Sequence, residues 1–213
     1  MPDADLANHE EYLWKPLPVP LVKELLGGLS APWWIAGGCA IDLFVGRQIR
    51  PHGDVDLLIR REDQLCIQEH LRDWDLHRAT YPGLRPWRKG EYLAGIYRDI
   101  WCRPQSDAPW CLQIMLLDTD GDQWVFKRDP TIRGSLADIG RTTPDGIPYL
   151  APEIQLLYKA KPETLEKDQL DFDAAAPLLA NPARDWLLAT LKKRFPQGHR
   201  WIGALESFGR SAT

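Results

Sequence analysis

At 213 residues and 24.4 kDa the chain is long enough for one α/β core or for an α/β domain with a small helical one. With 44% hydrophobic and 26% charged residues and no apolar run near the ~20 needed to cross a bilayer, the composition excludes a helical membrane protein and a disordered chain. A net charge of -4 and pI near 5.7 disfavour a nucleic-acid partner, and four cysteines without a Cys-x-x-Cys pair favour neither a zinc knuckle nor a disulfide framework.

In chain order, residues 1 to 20 are acidic and punctuated by Pro16, Pro18 and Pro20, so they read as a loose lead-in, with Glu10 and Glu11 in a solvated tail. They lack a signal peptide's charged start and long apolar centre, and with reduced thiols this points to the cytoplasm. Leu21 to Leu29 has an amphipathic helical pattern. The apolar run Trp33 to Ala36 stops at Gly37-Gly38, and a helix-like run to Val45 follows, closed by Gly46 where a C-capping glycine belongs. That reads as strand, Gly-Gly turn, helix. Glycines at such a junction let backbone approach a bulky anion, and the helix start supplies free N–H groups, so Gly37 and Gly38 form a candidate phosphate seat. After a polar loop carrying Arg50 and His52 comes Asp54-Val55-Asp56-Leu57-Leu58-Ile59, an expected strand. Alternation puts Asp54 and Asp56 on one face, about 7 Å apart at Cα, where two carboxylates grip hard cations.

Gly37-Gly38, fifteen residues, then Asp54-x-Asp56 resembles the signature of the nucleotidyltransferase superfamily related to DNA polymerase β. More narrowly, Gly-Gly-Cys-Ala-Ile-Asp from Gly37 to Asp42, with Gly46-Arg47, Arg50, His52 and Asp54-Val55-Asp56, is similar to the aminoglycoside and lincosamide nucleotidyltransferases. The resemblance implies an α+β fold, a mixed sheet flanked by helices over residues 1–150, followed by a small helical domain over 151–213. It implies transfer of a nucleoside monophosphate, AMP from Mg·ATP, to a hydroxyl of a small acceptor, aminoglycoside- or lincosamide-like. Asp54 and Asp56 would hold Mg²⁺, with Arg50 and His52 beside the phosphates. Two-metal phosphoryl transfer also asks for a third carboxylate on a neighbouring strand.

Arg61 to Trp74 reads as a helix returning the chain to the sheet. Residues 80 to 90 read as an exposed loop, with a basic flap of Arg85, Arg88 and Lys89 as the rarer alternative. Tyr92 to Arg103 and Trp110 to Leu117 are β-rich runs that suggest a hairpin, and Trp124 to Lys127 a further short strand. Asp99 and Asp118 are the candidates for the third carboxylate. Asp99 is favoured because a mid-strand Asp is costly without a partner. It also matches the apolar-Asp-apolar-His pattern of the lincosamide enzymes, with Trp101 in place of the histidine. Residues 128 to 150 are turn-rich, with Ile147 to Leu150 a last strand. Helices are expected at Pro152 to Lys161, Thr164 to Leu179, Ala183 to Phe195 and Trp201 to Phe208.

Lys159, with Lys161, is placed to reach nucleotide phosphates, and Lys167, Asp168 and Asp171 to face the cleft. A solvated helix face explains these side chains equally well. Trp87, Trp101 and Trp110 are candidates to stack on a ring. Two readings stand beside the small-molecule one: a tRNA or protein acceptor, for which Lys192 to Arg194 supply basic charge, and a nucleotide-binding module of the same fold that does not catalyse. No oligomeric state follows from the sequence.

Overall fold

The computed structural model describes residues 12–80 and 83–210; Glu10 and Glu11 lie outside them. Its centre is an eight-stranded mixed sheet. The strands, in chain order, are β1 (Trp33–Ala36), β2 (Asp56–Arg60), β3 (Asp75–Ala79), β4 (Leu84–Pro86), β5 (Asp99–Arg103), β6 (Leu112–Leu117), β10 (Gly140–Thr142) and β11 (Pro148–Leu150). They lie in the spatial order β10-β11-β1-β2-β6-β5-β3-β4. The β1/β11 and β2/β6 pairs are parallel and the others antiparallel. A separate three-stranded sheet joins β7 (Thr119–Asp120), β8 (Gln123–Val125) and β9 (Arg133–Ser135).

Register assigns the side chains to faces. Ile35, Leu57, Ile114 and Ile100 fall in one row across the sheet, and all four are fully buried. Helices α1 (Val19–Leu25) and α3 (Gln64–His70) cover that face through Val22 and Ile67. The next row, Ala36-Asp56-Gln113-Trp101, faces the other way because strand side chains alternate. Helix α2 (Gly37–Val45) runs from β1 between the layers, with Ala40 in one core and Ile41 in the other. On the second face, α4 (Pro152–Lys159), α5 (Glu166–Ala175), α6 (Asn181–Arg194) and α7 (Arg200–Arg210) pack over Ala36 and Leu58 through Leu156, Phe172, Leu187 and Trp201. The polar row toward β5 is left at the wall of a cleft.

Several sequence expectations need correction. The Asp-x-Asp strand begins at Asp56, because the four-residue β1 ends opposite it; Asp54 stands on the approach. Within the Tyr92 to Arg103 run only Asp99–Arg103 is strand. The preceding backbone turns at left-handed Gly90 and Gly95. Side chains satisfy it instead of a ladder: Gln64 bonds both the N–H and the carbonyl of Leu93, and Arg61 donates to the carbonyls of Leu93 and Tyr97. The Arg61 to Trp74 helix is reduced to a 3-10 turn and α3. The Thr164 to Leu179 helix gives way to a 3-10 turn at Ala176, where Pro177 brings no N–H. The lead-in is anchored: Lys15 and Leu17 donate to the carbonyls of Trp110 and Cys111, and Trp14 packs edge-on against Trp101 at 4.8 Å between ring centroids. Among the 80 to 90 stretch, Leu84–Pro86 is an edge strand on β3, and Arg85, Arg88 and Lys89 are exposed and do not line the cleft.

Candidate active site

The cleft has a volume of about 820 Å³ and lies between the second sheet face and the start of the helical segment. Gly37 opens α2 at φ 65, and its Cα lies against the Asp56 carboxylate so closely that a Cβ there would collide with it. A Cβ on Gly38 would strike the His52 ring and approach Arg50 Nη2 to 2.6 Å. The two glycines are therefore needed for close packing as well as for the turn. The Gly37 N–H donates to Gln155 Oε1 of α4 at 2.8 Å, a link that no spacing in the sequence signalled. Alanine at position 38 must displace His52 and Arg50; we expect a loss of about 1–3 kcal/mol in urea unfolding.

Arg50, Lys159 and His52 each have a structural partner. Arg50 makes a two-pronged pair with Asp171, Nε to Oδ1 and Nη2 to Oδ2, both at 2.9 Å. Lys159 is buried and bonds Asp168 at 3.2 Å and Asp171 at 2.7 Å. Burial pushes the Asp171 carboxyl up, but Arg50 and Lys159 more than offset it and hold the group below the usual carboxylate range. His52 Nε2 lies 2.6 Å from Asp42 Oδ2, and Asp42 Oδ1 accepts from the Ile49 N–H, so Asp42 fixes the loop that brings His52 over Gly38. Sequence reasoning placed Arg50 and His52 beside the glycines but overlooked Asp42 as the residue holding the loop.

The acids sort clearly. Asp54, Asp56 and Asp99 all line the cleft, and Gln113 Nε2 donates to Asp99 Oδ1 at 3.3 Å. Burial, then the nearby Asp54 carboxylate, push Asp56 up to about 8, with Asp99 adding in the same direction against Lys159. Asp118 also reaches the cleft, but Arg61 at 2.6 Å and Arg98 grip it. Burial raises its affinity for a proton, and the two guanidinium bonds outweigh burial and keep it ionised. Asp118 is thus an ion-pair anchor tying β6 to the Arg61 turn, which leaves Asp99 beside Asp56. Among the described residues no three acidic, His or Cys side chains are already gathered as a metal-binding group. The all-oxygen donor set of Asp54, Asp56 and Asp99, clustered enough to raise the proton affinity of Asp56, fits a hard divalent cation in kind.

Of the candidate stacking rings, Trp87 is buried in the first core and donates to the Glu91 carbonyl. Trp101 is 1% exposed beneath Tyr12, Trp14 and Trp110, so Trp14 is the half-buried indole at the cleft wall.

The family model described as aminoglycoside-2''-adenylyltransferase matches residues 19–88, the stretch holding both glycines, Arg50, His52 and the Asp-x-Asp pair. The lincomycin-bound lincosamide antibiotic adenylyltransferase LnuA superposes with a TM-score of 0.51, at 18% identity over 74% of this chain and 93% of that one. The solution structure of the antibiotic-resistance factor ANT(2'')-Ia gives 0.54, at 16% identity over 91% of this chain and 97% of that one. Its crystal structure with adenylyl-2''-tobramycin gives 0.50, at 15% identity over 83% and 98%. The chain has the nucleotidyltransferase fold. Residues 19–88 are similar to the aminoglycoside-2''-adenylyltransferases, and no curated protein matches the chain.

Within the nucleotidyltransferase fold of this chain, three further lysines line the cleft: Lys127, Lys161 and Lys167. None of them takes part in an ion pair among the described residues, in contrast to Lys159. Lys127 lies in a segment that reads as a short strand, which hid it from sequence reasoning.

Proposed function

We propose that this chain is an Mg²⁺-dependent nucleotidyltransferase that moves a nucleoside monophosphate, AMP from ATP, to a hydroxyl of a small acceptor. The observation that carries this reading is that Asp54, Asp56 and Asp99 all line one lysine-bearing cleft, on a fold shared with adenylyltransferases. Asp54, Asp56 and Asp99 would hold the metal, which when bound neutralises phosphate charge and polarises the α-phosphorus. Gly37 and Gly38 bring the start of α2 to the cleft, where the N–H groups after Gly37, whose own N–H is spent on Gln155, would favour an anion. Lys161 and Lys167, which line the cleft, would face the β- and γ-phosphate oxygens, with Arg50 in the wall and His52 packed over Gly38 behind it. The acceptor oxygen attacks the α-phosphorus, the bond to the bridging oxygen breaks, and pyrophosphate leaves. Asp99, oriented by Gln113, takes the hydroxyl proton.

The sheet-bearing residues 1–150 would supply the nucleotide and metal side, and residues 151–213 the helical side of the cleft. Four free cysteines favour a reducing compartment, and we place the reaction in the cytoplasm. No helix among the described residues is long and apolar enough to cross a membrane.

Thermal unfolding with Mg²⁺ and each nucleoside triphosphate tests the reading. Saturation at a hundred times Kd adds about 2.7 kcal/mol of stability. The shift should need Mg²⁺, be largest with ATP, and vanish in the Asp54→Ala/Asp56→Ala variant. A folded protein that responds to no nucleotide, with or without candidate acceptors, would sink the proposal.

A further inference from the structure

The charge of the cleft bears on which acceptor it takes. A polycationic acceptor, such as an amino sugar carrying several ammonium groups, needs carboxylates that remain unspent once the catalytic machinery is in place. The cleft is lined by seven Lys and Arg side chains and five carboxylates: Asp54, Asp56, Asp99, Asp118 and Asp168. Asp118 is held by Arg61 and Arg98, and Asp168 by Lys159. The other three are those assigned above to the metal. Every acidic group of the cleft is thus committed, and basic side chains are in excess. An incoming Mg·ATP, two negative charges net, offsets that excess without creating a negative surface beyond it.

One wall of the cleft has a different character. Trp14, half-buried and held against Trp101, lines the cleft together with Ala79 and Trp101 of the β3 and β5 strands. The backbone around Trp14 is fixed on both sides: the Trp110 N–H donates to the Leu13 carbonyl, and the Lys15 N–H to the Trp110 carbonyl. An indole held this way offers a rigid apolar surface to a ring or an aliphatic chain.

We infer that the acceptor is a hydroxyl compound carrying at most one positive charge, with an apolar or planar face that packs on Trp14, and that polycationic acceptors are rejected. This rests on the nucleotidyltransferase reading above and narrows it. Rejection follows because the cleft's carboxylates are committed and Lys161 and Lys167 face the phosphates, so an ammonium entering beside Lys127 would be desolvated next to a like charge with no carboxylate to receive it.

The test measures the Mg·ATP thermal shift first, then pyrophosphate release with three probes: tobramycin as the polycation, lincomycin with its single amine, and a panel of uncharged and monoacidic hydroxylated glycosides. Loss of the nucleotide shift would remove the parent reading. With the shift present, we expect release with lincomycin or a panel member, and a KM for tobramycin at least tenfold higher or no release with it at all. Trp14→Ala should raise the KM for the working acceptor at least tenfold while the nucleotide shift persists, and Trp14→Phe should restore most of it. Turnover of tobramycin at a KM equal to or below the best of the others would overturn the inference. So would silence of lincomycin and the whole panel in a protein that binds Mg·ATP.

Discussion

Asp56→Asn should abolish transfer and, in the same protein, raise its stability. The asparagine keeps the shape that Gly37 accommodates but removes the charge at the centre of the proposed metal site, and we expect activity to fall about 10³-fold or more, the equivalent of ~4 kcal/mol. The stability change has the opposite sign. Burial and the Asp54 charge raise the Asp56 carboxyl from 3.8 to about 8, so the folded protein retains a proton there that the unfolded chain has already released. Between pH 4 and 8 the folded state therefore binds more protons, and stability from this group declines as pH rises, with the cost complete above about pH 8. The neutral amide of the variant would carry no such dependence. Urea unfolding of the metal-free proteins should show the variant gaining on the wild type from pH 5 to pH 8. An equal difference at both pH values would mean that Asp56 is not a carboxyl held protonated by its surroundings.

Asp171→Ala should be the most damaging single change for the fold. The fully buried carboxylate answers Arg50 from the glycine-side loop and Lys159 from α4, and its removal takes from both cations the carboxylate they share, leaving Asp168 as the other acid that pairs with Lys159. Breaking a buried pair in this way costs about 3–5 kcal/mol. At roughly 2–4 °C per kcal/mol for a chain of this size, Tm should fall by about 10 °C. Asp171→Asn, which retains oxygen and volume, should lose less. A Tm within about 2 °C of wild type for the alanine variant would show that water reaches the two cations, and the network would then be peripheral.

These predictions divide between what the sequence displayed and what it concealed. The Trp33 to Gly46 strand and helix, with Gly46 as left-handed cap, were legible because apolar periodicity and glycine position coincide there. Asp99 was singled out as an acid in mid-strand, whereas it is the first residue of β5. The partners of these residues were not legible, because pairing depends on register and on chain segments far apart. Asp171 lies 121 positions from Arg50, and Gln155 lies 118 from Gly37. Lys159 looked like a phosphate ligand from its helix position, and only the fold shows that Asp168 and Asp171 engage it. Short elements escaped for another reason. A two- or three-residue strand such as β7 or β10 has too few side chains to show a period, and Arg61 and Gln64 stabilise the 93–97 loop through bonds that composition does not reveal.

The contact between Gly37 and Asp56 also bears on how descendants of this chain would diverge. No side chain fits at position 37 while a carboxylate occupies position 56, so the two sites share one selective constraint. A lineage that abandoned phosphoryl transfer would be released first at Asp56, where neutral substitution relieves an electrostatic burden. Shortening the residue at 56 would then lift the steric bar at 37, with only the backbone angle of 65° still holding glycine there. In a family tree, loss of the carboxylate should precede loss of the glycine, and a branch that keeps Asp56 but has a bulky residue at position 37 should not occur.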